Sequence, residues 1–438
     1  MDGEKSRRRG GIGPRTPRGG GAFLAAIALF AFLTGPAWCG PIEDAKAALA
    51  RSDYASAIAL LTPLAEAGDT AAQTGLAALF RLGRGVPQDF ATAAEWYRKA
   101  ADRCDAEAEN ALGAFYAAGL GVAQDYAEAA RWYRLAAEKG NPKHQFDLAV
   151  MFDNGLGVTK DQSQAAEWYG KAAAQGFAEA EASLGVLYHE GAGVAPNLAK
   201  AFALYNSAAE KGNAKAQNNL GLLYTKGEGV PQDYETAVSW FRKAAEQGLA
   251  PAMNNLGVMI ENGFGATQDD SEAAEWYRAA GRAQATETQS ALDRVGYVYD
   301  ARLTPPATGK DAAEAYRVAA EQGDPVAEFI LAYLLTLGNG IETDYRAAAH
   351  WYGKAADKGM APAMTNLGLL YIQGLGVPED YVLGYMWINL AAASGLAEAV
   401  SVRDALAQRM TPDQINEAQK LAKQQWAKSI KAGGSPHP

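Results

Sequence analysis

Cysteine is almost absent from this sequence. Its 438 residues include only Cys39 and Cys104, so no intrachain disulfide framework is available to stabilise the fold. Long apolar runs are equally rare. The clearest one, residues 22–33, is shorter than the roughly 20 apolar residues that a membrane-spanning helix requires. The stability of the folded chain must therefore come from the packing of apolar side chains.

Signatures of catalysis and metal binding are also missing. The sequence contains neither G-x-S-x-G nor S-x-x-K, motifs that place a nucleophilic serine in several hydrolase classes. Its histidines are His144, His189, His350 and His437, and none has a second histidine, a cysteine or a paired carboxylate at ligand spacing. We therefore predict a non-enzymatic protein without catalytic residues, metal or cofactor. Only a Ser, His and Asp brought together from distant parts of the chain would escape this test.

The N-terminus has the organisation of a targeting segment. Residues 1–20 are rich in arginine, residues 22–33 are apolar, and the small residues of TGPAWCG follow. This order is typical of a secretory signal peptide, with cleavage after Ala37 or Cys39. We therefore expect a secreted or periplasmic protein. Two alternatives stay open: an uncleaved anchor in the inner membrane, and lipidation of Cys39, although Trp38 is bulky for a lipoprotein signal.

Removal of the targeting segment leaves a strongly acidic body. Residues 1–40 carry six of the 40 basic residues and two of the 50 acidic residues, so the remainder has 34 basic against 48 acidic residues, a formal charge of −14. Such a charge disfavours nucleic acids and anionic lipid surfaces as partners. We predict no nucleic-acid binding and no membrane contact beyond the N-terminal segment.

The body of the sequence repeats itself every 36 residues. The valines that close a Gly-x-Gly-Val stretch show the period: Val86, Val122, Val158, Val194 and Val230. The tryptophans largely keep the same register, with three residues inserted before the last two: Trp96, Trp132, Trp168, Trp240, Trp276, Trp351 and Trp387. A constant period of this length is the signature of a solenoid of stacked repeats.

Each unit is predicted to be a helix–loop–helix. In the unit 106–140, Ala108, Leu112 and Phe115 lie on one face of a helix. Gly119 begins a glycine-rich break, and Asp125 is suited to cap the start of a second helix. One unit alone cannot bury its aromatic side chains, whereas a stack of units can. We therefore interpret the seven tryptophans given above as the structural core of the repeat.

The unit 213–248 carries the repeat pattern in its clearest form. The residues that match are Leu220, Gly221, Tyr224, Gly227, Gly229, Val230, Asp233, Ala237, Trp240, Phe241, Ala244, Ala245 and Gly248. This pattern resembles the Sel-one-like repeat (SLR) family, a relative of the tetratricopeptide repeats. The resemblance implies an all-α fold, a right-handed α-solenoid superhelix of about nine units with N- and C-terminal caps. It also implies a protein-interaction scaffold without conserved catalytic residues.

The repeat register divides the chain into segments. We predict a signal peptide or membrane anchor at 1–40, an N-terminal cap or half-repeat at 41–69, six repeats at 70–284, a divergent repeat at 285–323, two repeats at 324–395, C-terminal capping helices at 396–431 and a disordered tail at 432–438. In the divergent repeat, the proline-containing stretch 302–309 replaces the glycine loop. This segment is either a drifted repeat or a kink that divides the solenoid.

Asparagines before the Leu-Gly pair of the first helix are the candidate binding residues. They are Asn219, Asn255 and Asn366, with Asn218 and Asn254 beside two of them. In the related tetratricopeptide fold, the first helices line the concave groove. An asparagine there offers both donors and an acceptor to an extended peptide. The alternative is that these side chains bond the neighbouring repeat.

The sequence therefore favours a non-enzymatic, exported scaffold that binds a protein or peptide in the concave groove. The resemblance suggests a role in envelope-associated regulation. The alternative is a cell-wall-directed hydrolase or β-lactam-binding protein, because cysteine-rich secreted relatives are associated with penicillin binding and β-lactam hydrolysis. This chain lacks the cysteine pairs of those relatives.

Overall fold

The computed structural model describes residues 40–288, 296–300, 302–303, 306–307, 309–339 and 341–431. The predicted targeting segment, apart from Gly40, and the predicted tail 432–438 lie outside these ranges. All regular structure within them is helical, without a strand. None of the described helices has the length and apolar content needed to cross a membrane.

Apart from α14 and α15, the helices follow one another with short connections. In chain order they are α1 (Pro41–Ala50), α2 (Tyr54–Glu66), α3 (Thr70–Leu82), α4 (Phe90–Ala101), α5 (Ala106–Ala118), α6 (Tyr126–Glu138), α7 (Pro142–Asn154), α8 (Gln162–Ala173), α9 (Ala178–Glu190), α10 (Leu198–Glu210), α11 (Ala214–Lys226), α12 (Tyr234–Glu246), α13 (Ala250–Glu261), α14 (Asp270–Thr288), α15 (Lys310–Glu321), α16 (Pro325–Leu337), α17 (Tyr345–Asp357), α18 (Ala361–Gln373), α19 (Tyr381–Ala393), α20 (Ala397–Ala407) and α21 (Pro412–Lys431).

Neighbouring helices pack against each other along the chain, which confirms the predicted all-α solenoid. We call α3, α5, α7, α9, α11, α13, α16, α18 and α20 the first helices, and the helix after each one a second helix. The N-terminal units comprise α3–α14, and the C-terminal units comprise α16–α21. Helix α15 is a second helix whose unit has no helix at residues 296–300.

Polar caps and glycines set the helix boundaries. The carboxylate of Asp125 accepts hydrogen bonds from the backbone N–H groups of Ala127 and Glu128 at the start of α6. Gly119 ends α5 in the left-handed conformation, with φ of +68°. The same capping position is occupied in other second helices by Asp89, Asp161, Asn197, Asp233, Asp344 and Asp380.

The second glycine of each loop brings one unit against the next. A Cβ atom on Gly121 would lie 2.3 Å from the backbone carbon of Phe90, at the start of α4. Only glycine permits that approach, because any side chain would meet backbone rather than a movable group. The Gly-x-Gly-Val loops are therefore contacts between units.

The tryptophans lie at the edge of the core rather than at its centre. All seven are half-buried, and Trp132 packs against the cluster that contains Tyr97 of the preceding second helix. The residue after the tryptophan is the buried one: the ring of Tyr133 covers Gly113, whose Cβ would lie 2.7 Å from the Tyr133 Cδ1 atom. The tryptophans thus join successive second helices, while the following aromatic residue joins the two helices of a unit.

A recurring polar contact also ties each unit to the preceding one. The Nζ atom of Lys211 donates to the carbonyl of Gly176, 35 residues earlier, and pairs with the buried carboxylate of Glu181. In the unit before it, Gln175 donates to the carbonyl of Gly140 at 2.9 Å and to Gln145 at 2.9 Å. The glycine carbonyl that follows a second helix is therefore satisfied by a lysine in one unit and by a glutamine in another.

The end of the solenoid folds back onto its beginning. The amide of the buried Asn389, in α19, holds the backbone of Gln88 in the loop before α4: Oδ1 accepts from the N–H at 2.8 Å and Nδ2 donates to the C=O at 2.9 Å. Gln419 of α21 donates to the side chain of Gln88 and accepts from the N–H of Phe90 at 2.8 Å. These contacts join residues about 300 positions apart.

A second asparagine side chain strengthens the contact between the two ends of the solenoid. Asn416 of α21 accepts from the N–H of Gly121 at 2.8 Å and donates to the C=O of Gly119 at 3.0 Å. The ammonium of Lys423 lies 2.9 Å from the Asp89 carboxylate. The C-terminal helices are therefore more than a cap, because their polar side chains bind the loops of the first two units.

Cys104 provides a test of backbone strain. It stands where the other units have glycine, and its φ is +63°, a conformation that disfavours a side chain. We expect Cys104→Gly to raise the free energy of unfolding by about 1 kcal/mol in a denaturant titration. The matched control is Gly140→Cys, because nothing lies within 4 Å of a Cβ there; it should destabilise the protein. A less stable Cys104→Gly variant would contradict this account.

Asn389 provides a test of the closure. In Asn389→Ala, the buried backbone N–H and C=O groups of Gln88 lose their partners, and we expect the free energy of unfolding to fall by about 3 kcal/mol. Small-angle X-ray scattering of the same variant should show a larger radius of gyration. Asn254→Ala, which removes an exposed amide, should change neither quantity. A variant at position 389 with the stability and the scattering curve of the parent would refute the closure.

Candidate functional site

An extended segment of the chain lies across the first helices of the C-terminal units. At its centre is Val298, whose backbone is held by the side-chain amide of Asn366 in α18. The N–H of Val298 donates to Asn366 Oδ1 at 2.7 Å, and Asn366 Nδ2 donates to the Val298 carbonyl at 2.8 Å. Both backbone groups of one residue are therefore satisfied by one side chain, as in the recognition of an extended peptide.

The side chains on either side of Val298 bind different helices. The ring of Tyr299 lies 5.7 Å from that of Phe329 and 5.0 Å from that of Tyr333, both in α16. The hydroxyl of Tyr297 donates to Gln373 Oε1 of α18 at 2.9 Å. The segment thus runs against the order of the repeats, with its later residue on the earlier helix.

The side-chain amide of Asn366 is also held in place by the hydroxyl of Tyr352. Its Nδ2 atom also donates to the hydroxyl of Tyr352 at 3.2 Å, and neither side chain is exposed to solvent. Burial raises the pKa of the Tyr352 hydroxyl, which therefore stays protonated. Because the acceptor and both donors of the amide are used, its orientation is determined by hydrogen bonds.

A charged turn ends the segment. The buried carboxylate of Asp300 accepts from the N–H of Arg302 at 3.0 Å and from its guanidinium at 3.0 and 2.9 Å. These hydrogen bonds lower the pKa of Asp300, so the turn keeps its ion pair at neutral pH. Beside the segment is a cavity of about 610 Å³, lined by residues 296–299 and by Ala397, Glu398 and Ser401 of α20.

The other predicted asparagines have different surroundings. Asn219 is half-buried and its side chain lies near the hydroxyl of Tyr205 in the preceding second helix, as that of Asn366 lies near Tyr352. Asn255 donates to Asn218 across α11 and α13 at 2.8 Å, which is the internal bonding of the alternative interpretation. Asn254 is exposed. The five residues therefore do not form one uniform row.

An open apolar row accompanies Asn219 on the first helices of the N-terminal units. Its members stand three residues after the position of Asn219 in α7, α9, α11 and α13: Val150, Val186, Leu222 and Val258. Val258 is 46% exposed, and the other three are partly exposed. In α16 the same position holds Tyr333, the residue that Tyr299 contacts. The N-terminal units thus present a surface of the kind that the segment covers in the C-terminal units.

Titratable groups do not gather into a metal site in the described part of the chain, where no three His, Cys, Asp or Glu side chains could share an ion. His189 pairs with Glu228 of the next unit at 3.0 Å. His144 is buried, and its Nε2 atom lies 3.4 Å from Oε1 of Glu107. These contacts link neighbouring units.

The sequence analysis did not identify the segment around Val298 as a bound strand. The repeat register places this stretch in a first helix, because Gly296 and Tyr299 match repeat positions. One signal did point to an extended conformation: Tyr297 and Tyr299 alternate with other residues, which is the period of a strand and not of a helix. The aromatic partners in α16 could not be known without the fold.

Comparison with known families gives a match over most of the chain. A family model described as Sel1 repeat matches eight segments: 70–103, 106–141, 144–177, 178–213, 214–249, 250–284, 325–360 and 361–396. The unmatched stretch between the sixth and seventh segments contains the extended segment around Val298. No curated protein matches the chain.

Two solved structures are similar over long stretches. A protective antigen present in uropathogenic Escherichia coli strains, displaying an SLR fold, is 32% identical; the alignment covers 86% of this chain and 90% of that one, with a TM-score of 0.49. A Sel1 repeat protein from Oxalobacter formigenes is 30% identical, with 55% of this chain and 96% of that one covered and a TM-score of 0.52.

Proposed function

Because the chain belongs to the Sel1 repeat family, whose members are generally protein-interaction scaffolds, we propose that it binds an extended segment of a partner protein on the first helices α7, α9, α11 and α13. The observation that supports this proposal is the pair of hydrogen bonds between the side chain of Asn366 and the backbone of Val298. In this contact an asparagine before the Leu-Gly pair holds backbone of the same chain, which supports the same role toward a partner.

Asn219 is the residue best placed to repeat this contact for a partner. Its amide has the same tyrosine neighbour as that of Asn366, supplied in this case by Tyr205. It is half-buried, and the described chain does not cover it with a strand. The apolar row from Val150 to Val258 would take side chains of the partner that alternate along an extended backbone.

The composition of this surface favours a peptide over other ligands. At the position of Asn219 it holds two amides, the hydroxyl of Ser183 and the carboxylate of Asp147, beside aliphatic side chains, whereas a nucleic acid would require clustered basic residues. Recognition would come from backbone hydrogen bonds and from burial of apolar side chains. Neither the geometry nor the comparisons favour the hydrolase alternative, and the family is typically non-catalytic.

The location of the protein belongs to the same proposal. The arginine-rich start, the apolar stretch 22–33 and the small residues after it support export through a cleaved signal peptide. A scaffold outside the cytoplasm could then organise proteins of the cell envelope. This role rests on the targeting segment and on the family's general use as a scaffold.

Asn219 provides the test of peptide binding. Peptides selected from a random library on the full chain would be titrated against the parent and Asn219→Ala. Loss of two backbone hydrogen bonds, each contributing about 1 kcal/mol, should weaken binding about thirtyfold. Asn254→Ala is the matched control, since it removes the same amide from an exposed neighbouring position, and its affinity should equal that of the parent. Equal losses in both variants, or no loss in either, would remove Asn219 from the site.

Export has a separate test. The protein would be expressed in its host and recovered from the periplasmic fraction for N-terminal sequencing. We expect the sequence to begin after Ala37 or Cys39, because signal peptidase cleaves behind small residues. Recovery of the intact N-terminus in the membrane fraction would instead support the anchored alternative.

A further inference from the structure

We infer that the first helices α16, α18 and α20 form a second peptide site, which the chain closes with its own residues Gly296–Asp300. A partner segment with the same chemistry, an aliphatic residue between two aromatic residues followed by an acidic one, would displace it. This inference concerns the C-terminal units and goes beyond the proposed binding on the N-terminal units.

The contacts of the segment are those of a ligand rather than of a repeat helix. Residues 296–300 have no helical hydrogen bonds, and the backbone of Val298 is bonded to a side chain of another unit. The next described helix is α15, which packs against α16 in the usual way. Residues 296–300 therefore lie on the first helices as a bound peptide would. In a regular unit, these residues would instead form a helix.

Each contact specifies one feature of the partner. Asn366 binds backbone only, so the central residue needs an N–H group. The rings of Phe329 and Tyr333 select an aromatic residue immediately after it. Gln373 accepts a hydrogen bond from the residue before it, which favours tyrosine there. The pattern is therefore two aromatic residues on either side of a residue with an N–H group, which is Val298 in the internal segment.

The site also has open space that the described residues leave unfilled. The cavity of about 610 Å³ lies between residues 296–299 and the first turns of α20. A partner chain that continues beyond the aromatic pair could bury additional surface there. Such a partner would gain contacts that the internal segment does not make, which provides the differential binding that displacement requires.

The internal segment sets the apparent affinity for a partner. A ligand binds only the fraction of molecules in which the site is open, so its apparent dissociation constant is the intrinsic value divided by that fraction. Weakening the segment should therefore tighten binding of an added peptide. A purely structural strand would show the opposite: its removal would destabilise the units around it without creating a binding site.

The experiment uses a fluorescein-labelled peptide that contains Gly-Tyr-Val-Tyr-Asp, titrated against the full chain by fluorescence anisotropy. Val298→Pro removes the N–H group that Asn366 accepts and keeps an extended backbone. Val298→Ala is the matched control, because it retains the N–H group. We expect Val298→Pro to bind the peptide at least about tenfold more tightly than Val298→Ala and the parent. A peptide with serine in place of both tyrosines should not bind.

A second substitution identifies the residue that grips the peptide. Adding Asn366→Ala to Val298→Pro should reverse the gain in affinity, whereas adding Asn219→Ala should not. This contrast distinguishes binding at the closed site from binding on the N-terminal units. One of the two proposals can therefore be refuted without the other. Equal peptide affinities for Val298→Pro and Val298→Ala would overturn the inference.

Two further outcomes also count against it. If Val298→Pro and the double variant Tyr297→Ser, Tyr299→Ser both lose cooperative thermal unfolding, the segment is a part of the fold and not a ligand. If light scattering finds the parent as a dimer that dissociates in Val298→Pro, the occupant is the segment of a second copy and not of a partner. The inference requires a monomer that unfolds cooperatively in each variant.

Discussion

The packing of an aromatic ring on a small residue, glycine or alanine, governs the architecture of this protein. Tyr133 lies on Gly113 at a distance that leaves no room for a Cβ atom, and Tyr205, Phe241 and Tyr277 repeat the contact on Gly185, Gly221 and Gly257. This contact draws the two helices of a unit together and leaves the tryptophan at its edge. The tryptophan then needs the preceding unit for burial. Stacking therefore follows from the way each unit packs internally.

A second recurring contact is an asparagine side chain that binds backbone outside the helices. Three asparagine amides each bind irregular backbone through both a donor and an acceptor: Asn366 holds Val298, Asn389 holds Gln88, and Asn416 holds the loop of Gly119 and Gly121. Buried backbone outside a helix requires such partners. One amide satisfies an N–H and a C=O group together, so it suits the points at which the C-terminal units meet a loop or a strand. The proposed recognition of a foreign peptide uses the same chemistry.

The candidate site was predictable in part. The position of Asn366 follows from the repeat register, and the value of an amide for binding an extended backbone follows from its donors and acceptor. The distribution of roles among the five asparagines did not follow. Asn255 bonds Asn218, whereas Asn366 binds a strand, although all occupy equivalent or adjacent positions. The difference arises from what lies opposite each residue, which depends on contacts between distant parts of the chain.

The sequence alone determined the helical unit, its period and its stacking, because these depend on residues within one or two repeats of each other: the Asp caps, the paired loop glycines, and the aromatic residue twenty positions after a glycine or alanine. Only the tertiary structure decided that the chain closes on itself and that residues 296–300 lie on the first helices. Asn389 and Gln88 are 301 residues apart, and no local pattern encodes their meeting. It results from the small rotation added at every unit, accumulated along the whole stack.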